Sequence, residues 1–201
     1  MNFLLTTCLL SQKTDSRDRI TGGMIGENVK PKGIEKFNEE IQDGILFTHQ
    51  FKKYKMSNPA YLKSLKRLNP KFSKYGDHII DVFYDHLAAL NWQKISPDQD
   101  LGEYIDKLYQ LMIDYHPVIP YKMNRLIPFL ISKDLLRTLN TVDGLHKYVK
   151  FIAKKDTFQG SFEYAIIDLI ENYSAFKEDF EEFVAGVGEF MEEVEAKHLA
   201  S

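Results

Sequence analysis

Residues 76–92 place Asp77, Asp81 and Asp85 four positions apart, with His78 and His86 beside them. At 3.6 residues per turn this spacing stacks the three carboxylates along one face of a helix. Ile80, Phe83, Leu87 and Leu90 form a second stripe suited to burial. Carboxylates one turn apart repel each other unless a cation, a basic helix or water lies against them. The segment is therefore either a solvated or ion-paired helix face, or a site.

The same helical period recurs along the chain. Ile34, Phe37, Ile41, Ile45 and Phe51 follow it, as do Leu101, Ile105, Leu108, Leu111 and Met112. So do Phe176, Phe180, Phe183, Val184, Val187, Phe190, Met191 and Val194, whereas strand alternation is scarcely present. Breaks are expected at Asn58-Pro59, Asn69-Pro70, Ser96-Pro97, Pro117 to Pro120, Asp143-Gly144 and around Gly160, with Ser96-Pro97-Asp98 a good helix entry. Residues 12–33, with Gly22, Gly23, Gly26, Pro31 and Gly33, read as the least regular stretch. The expectation is an all-α fold, a single domain over residues 1–201 built from about eight helices.

An apolar content of 44% with 13% aromatic residues supplies a sizeable core. The one cysteine, Cys8, excludes an internal disulfide and fits a reducing compartment, so the cytoplasm is the expected location. Residues 1–10 are apolar but too short to span a bilayer and lack a basic flank, so they read as a buried first element, and no membrane partner is expected. The net charge of −3 hides a polarity. Residues 44–76 hold eight cations (Lys52, Lys53, Lys55, Lys63, Lys66, Arg67, Lys71 and Lys74) and no acid, while residues 156–201 hold twelve acids against Lys177 and Lys197. Either the basic stretch meets an anionic partner or the two regions pair with each other.

Residues 81–92 carry the pattern Asp-Val-x-x-Asp-His-x-x-Ala-x-x-Trp, from Asp81 through Asp85, His86 and Ala89 to Trp92. Together with the opening Met1-Asn2-Phe3-Leu4, the stretch from Gly22 to Lys30, Gly44-Ile45, Asn58-Pro59 and a later portion over residues 123–155, this chain resembles the acyl carrier protein phosphodiesterase family over its whole length. The resemblance implies an all-α fold distantly like the metal-dependent HD-type phosphohydrolases. It also implies Mn2+-assisted hydrolysis, or hydrolysis with another divalent cation, that releases 4′-phosphopantetheine from a serine of holo acyl carrier protein. In that reading Glu27, Asp85 and His86 are metal ligands, and Glu27 and Asp81 take the catalytic roles.

The chain departs from the family pattern at several of these places. Thr6 stands where a His is usual, Glu27 where an Asp is usual, and Thr48-His49 where a His-Arg pair is usual. Lys52 and Met56 replace two further Asp residues, with Lys55 beside the second. Glu27 keeps a carboxylate, but a lysine near a divalent ion turns attraction into repulsion. At about 4 Å and an effective dielectric near 20, one unit charge repels another by roughly 4 kcal/mol, and a divalent ion doubles that.

Two readings follow. In one, the chain is a metal-dependent phosphodiester hydrolase of this family. In the other it is a non-catalytic relative that binds acyl carrier protein or another acidic partner through residues 52–74, with His49, Lys52 and Lys55 holding a phosphate in place of the cation. Nucleic acid is a poor third partner, because no recognition pattern accompanies the basic stretch and Phe51, Tyr54, Tyr61, Phe72 and Tyr75 suit helix cores equally. Gly22-Gly23-x-x-Gly26 lacks a full dinucleotide fingerprint and reads as a turn, while His116 and His146 read as loop and cap residues.

Overall fold

The computed structural model describes residues 3–68, 70–155 and 164–199, and the regular structure over them is entirely helical. Twelve α-helices follow in order among the described residues. They are α1 (Leu4–Ser11), α2 (Arg17–Ile25), α3 (Glu39–Ser57), α4 (Pro59–Arg67), α5 (Gly76–Leu90), α6 (Trp92–Ile95), α7 (Leu101–Asp114), α8 (Tyr121–Asn124), α9 (Ile127–Ser132), α10 (Val142–Lys155), α11 (Ala165–Glu171) and α12 (Tyr173–Leu199). Short 3-10 turns cover Gly26–Asn28, Pro31–Lys36, Pro70–Tyr75 and Arg137–Asn140.

Local chemistry explains most boundaries. Asn58 separates α3 from α4: its side-chain oxygen accepts from the Ala60 and Tyr61 N–H groups at 2.9 and 3.2 Å, with Pro59 as the first helical residue. Two of the expected breaks move. Ser96-Pro97 does not open a helix; α7 starts later, where the Asp100 carboxylate accepts from the Glu103 N–H. Asp143-Gly144 does not break the chain but forms the first turn of α10, with the Thr141 hydroxyl accepting from the Gly144 N–H, and His146 lies inside that helix rather than at its cap. The stretch thought least regular contains α2, because Ser16 caps it by accepting from the Arg19 N–H. Ile34 and Phe37 fall in and after a 3-10 turn instead of joining the helix of Ile41 and Ile45. The expected break near Gly160 lies outside the described residues.

Helix α5 is the centre of the fold rather than a half-solvated surface helix. Every residue from Ile79 to Ala89 is buried, Asp81, Asp85 and His86 among them, and only Leu90 of the expected apolar stripe emerges. Helices α1, α4, α10 and α12 and the turn at Arg137–Asn140 surround it. On α12 the expected apolar stripe is buried from Phe176 to Val194 except for half-buried Val184. Phe183 sits at its middle, with ring centroids 6.1 Å from Phe51, 5.7 Å from Tyr54, 6.0 Å from Tyr61 and 5.3 Å from Tyr84. No described helix is long and apolar enough to cross a membrane.

The charge polarity of the sequence is closed in part inside the molecule. Helix α12 packs on α4, and Lys63 meets Glu182 at 2.6 Å while Arg67 meets Asp179 at 2.7 Å. Lys52 pairs with Asp77, and Lys55 with Asp81 and Glu27. Among the described residues, Lys52, Lys55, Lys63 and Arg67 of the basic stretch are thus engaged by acids of this chain.

Candidate functional site

Asp81 and Lys55 meet in the interior. Lys55 projects from the last turns of α3, one turn beyond buried Phe51, and its side chain is 3% exposed. Its Nζ lies 2.6 Å from Asp81 Oδ1 and 3.7 Å from Glu27 Oε1. The ammonium also lies 5.4 Å from the Phe51 ring centroid and 5.8 Å from that of Tyr61, close enough for attraction to both π faces. The Tyr61 hydroxyl donates to the same Asp81 oxygen at 3.0 Å. Two carboxylates and two aromatic rings therefore surround one buried ammonium.

The electrostatics follow from that contact set. Burial works against the charge of Lys55, yet Asp81, Glu27 and Asp85 outweigh it and lift its pKa above the usual lysine value, so it stays protonated. Burial would raise Glu27, but nearby positive charge, that of the amino terminus first and then those of Lys55, His78 and Lys52, brings it down to about 2. Toward solvent the arrangement repeats one turn earlier on both helices, where Lys52 of α3 meets Asp77 of α5 at 3.5 Å with both side chains partly exposed. Burial lowers the pKa of half-buried His78, against the pull of Asp77, Glu27 and Asp81.

The other motif residues turn to different tasks. Asp85, one turn after Asp81 and fully buried, accepts from the Phe3 N–H at 2.7 Å and the Leu5 N–H at 3.0 Å. These are donors of the first turn of α1, whose own cap residue supplies no side-chain bond, so Asp85 caps that helix from across the core. His86 is five residues from Asp81, about 140° around the helix axis. Its Nδ1–H donates to the Leu139 carbonyl at 2.6 Å and its Nε2 accepts from the Tyr173 hydroxyl at 3.3 Å, so neither ring nitrogen is directed at the Lys55 centre. His49 Nε2 lies 3.0 Å from the carbonyl oxygens of both Gly26 and Val29, which ties α3 to the turn carrying Glu27. Buried Thr48 donates to the Gly23 carbonyl at 2.8 Å and serves the α2–α3 contact.

The structure thus brings Glu27, Asp81 and Lys55 together, sets Lys52 at the rim, and assigns Asp85, His86 and His49 to backbone and tyrosine partners. Tyr61 and Tyr173 were not among the expected site residues. Tyr61 could have been found from its place one turn into a helix that must face Asp81; Tyr173 carries no signal in the sequence. Among the described residues no three His, Cys, Asp or Glu side chains gather as a metal-ion donor set. The two carboxylates that converge already share an ammonium between them, and this donor set does not fit a divalent cation.

Asp85 also gives a measurable pH dependence. Burial raises its pKa from 3.8 to about 7, against the hydrogen bonds from the backbones of Leu5, Leu4 and Phe3. A carboxyl that holds its proton longer when folded contributes stability that is full below its unfolded pKa and is lost as the pH rises through its folded pKa. The permanently neutral variant Asp85→Asn lacks that component. Urea denaturation from about pH 4 to about pH 8 is therefore expected to show the stability gap between wild type and variant shrinking as pH rises, and equal slopes would count against it.

Comparison with known proteins places the chain. The model of the family described as acyl carrier protein phosphodiesterase matches residues 1–187, and the chain belongs to that family. It is 22% identical over 130 residues to the acyl carrier protein phosphodiesterase of Yersinia enterocolitica serotype O:8 / biotype 1B, an alignment spanning 65% of this chain and 66% of that protein. It is 20% identical over 187 residues to the protein of the same name from Photorhabdus laumondii subsp. laumondii, covering 91% of both chains. No solved structure matches this one.

Proposed function

We propose that this protein recognises acyl carrier protein without hydrolysing its phosphodiester by a divalent-metal route. The observation that carries this reading is the buried Lys55 ammonium between Asp81 and Glu27, where a metal-assisted hydrolase needs carboxylates open to a cation. Acyl carrier protein as the partner rests on family membership. Lys53 of α3, Lys66 of α4 and Lys74 of the Pro70–Tyr75 turn are exposed, whereas Lys52, Lys55, Lys63 and Arg67 are engaged within the chain. Contact with an acidic partner through this depleted set is therefore weak and salt-sensitive.

The test incubates holo acyl carrier protein with the chain, with and without Mn2+, and follows the carrier's mass and its binding at low and raised salt. The expected result is an unchanged carrier mass in both conditions and binding that weakens as salt is added. Loss of 4′-phosphopantetheine in proportion to the chain added overturns the non-hydrolytic part, and absence of binding at low salt overturns the recognition part.

A further inference from the structure

We infer that Lys55 is the resident cation of this protein: its side-chain ammonium holds Glu27 and Asp81 together and keeps divalent ions out, so the centre is complete without a metal. This deepens the non-hydrolytic reading and rests on its structural half alone, independent of acyl carrier protein.

Three features carry it. First, the ammonium is enclosed rather than laid on the surface, at 3% exposure, with a 2.6 Å contact to Asp81, a 3.7 Å contact to Glu27 and the faces of Phe51 and Tyr61 beside it. Second, the charge is largely offset with it in place: the Asp81 and Glu27 carboxylates face the Lys55 ammonium, and the positive amino terminus also acts on Glu27. Adding a divalent ion beside the ammonium reverses the sign of the buried charge, whereas removing the ammonium leaves two converging carboxylates that a divalent ion neutralises. Third, the surroundings hold the arrangement in register. Tyr61 fixes Asp81, and His49 fixes the backbone at Gly26 and Val29 on either side of Glu27. These contacts to Asp81 and to the turn of Glu27 do not pass through Lys55, so the ammonium is the replaceable part.

The experiment uses the full chain as wild type, Asp81→Asn, Lys55→Ala and Lys55→Ala/Asp81→Asn, with Mn2+ alone as the probe. Free Mn2+ is read by its electron paramagnetic resonance signal and stability by thermal melting. Wild type is expected to show no saturable Mn2+ binding at this centre and no shift of Tm with Mn2+ or with EDTA. Lys55→Ala is expected to gain one Mn2+ site at least tenfold tighter than any in wild type, with a Tm raised by Mn2+, and the double variant is expected to lose it. Saturable Mn2+ binding by wild type that Asp81→Asn abolishes overturns the inference. So does a folded Lys55→Ala protein with no gain in Mn2+ affinity. Where Lys55→Ala does not fold in buffer, refolding with Mn2+ or with an alkylammonium ion is expected to recover it, and failure of both overturns the inference as well. None of these readouts involves acyl carrier protein, so failure to bind the carrier and failure to exclude the metal are separate results.

Discussion

Lys55→Met is expected to destabilise the folded chain by about 3–5 kcal/mol near neutral pH, the cost of stripping one partner from a buried ion pair. The methionine fills similar space, so the loss is electrostatic rather than a cavity effect. Asp81 and Glu27 are left converging with no ammonium between them, and burial then drives the pKa of one of them upward. In the wild type, Glu27 is held at about 2, below its unfolded value of 4.5, so it contributes stability that is present above 4.5 and lost as the pH falls through about 2. The variant reverses that sign, because a carboxyl with a raised pKa is favoured when protonated. Its stability is expected to recover on moving from about pH 8 to about pH 5, while the Glu27 contribution in wild type stays constant over that window. For a chain of this size the loss corresponds to a fall in Tm of roughly 6–20 °C, at about 2–4 °C per kcal/mol. Urea titrations at the two pH values check both halves, and a loss below about 1 kcal/mol at the higher pH refutes the account.

That the centre closes on a lysine was only partly legible in the sequence. The resemblance gives Glu27 and Asp81 catalytic roles, and the two carboxylates reach the same ammonium, that of Lys55. Alignment to the family pattern directs attention to Lys52, which stands in an aspartate's place, but helix phase selects Lys55. Ile41, Ile45, Thr48 and Phe51 define the inner face of α3, and Lys55 follows Phe51 by one turn, while Lys52 is rotated toward the rim. His86 shows the same lesson in reverse. Its adjacency to Asp85 suggested a shared site, yet neighbours on a helix diverge by about 100°, and it reaches Leu139 and Tyr173 instead. Asp85 carried no sign of its backbone partners, because Phe3 and Leu5 are some eighty positions away.

The fold was more accessible than the site. A helical period is a local property, so the all-α class and the Asn58-Pro59 boundary were readable. The number of helices was underestimated because α6, α8 and α9 are single or double turns whose residues show no full period. Helix α2 was missed for a different reason. Its glycines weaken helix propensity, and what they supply is tertiary: they let two helix backbones touch.

That contact makes Gly44→Ala the second large effect, with an expected cost of about 3 kcal/mol, the upper end for overpacking, because the atoms in the way are backbone. A Cβ on Gly44 would lie 1.9 Å from the Arg19 carbonyl oxygen and 2.6 Å from the Gly23 nitrogen, and one on Gly22 would lie 2.1 Å from the Ile41 carbonyl oxygen. No side-chain rotation relieves those distances; α2 and α3 must separate. The turn bearing Glu27 continues directly from α2, whereas Lys55 belongs to α3, so separation also stretches the Glu27–Lys55 contact of 3.7 Å. The variant is accordingly expected to lose part of the pairing that holds Glu27 down, bringing its pKa back toward the ordinary carboxylate value and moving acid unfolding to higher pH. Gly188→Ala provides the contrast. It lies on exposed α12 surface with nothing within 4 Å of the added carbon, and better helix propensity there is expected to stabilise the chain by about 0.5–1 kcal/mol. Thermal and urea unfolding of both variants measure the difference, and a Gly44→Ala protein as stable as wild type would mean that the α2–α3 contact does not position Glu27.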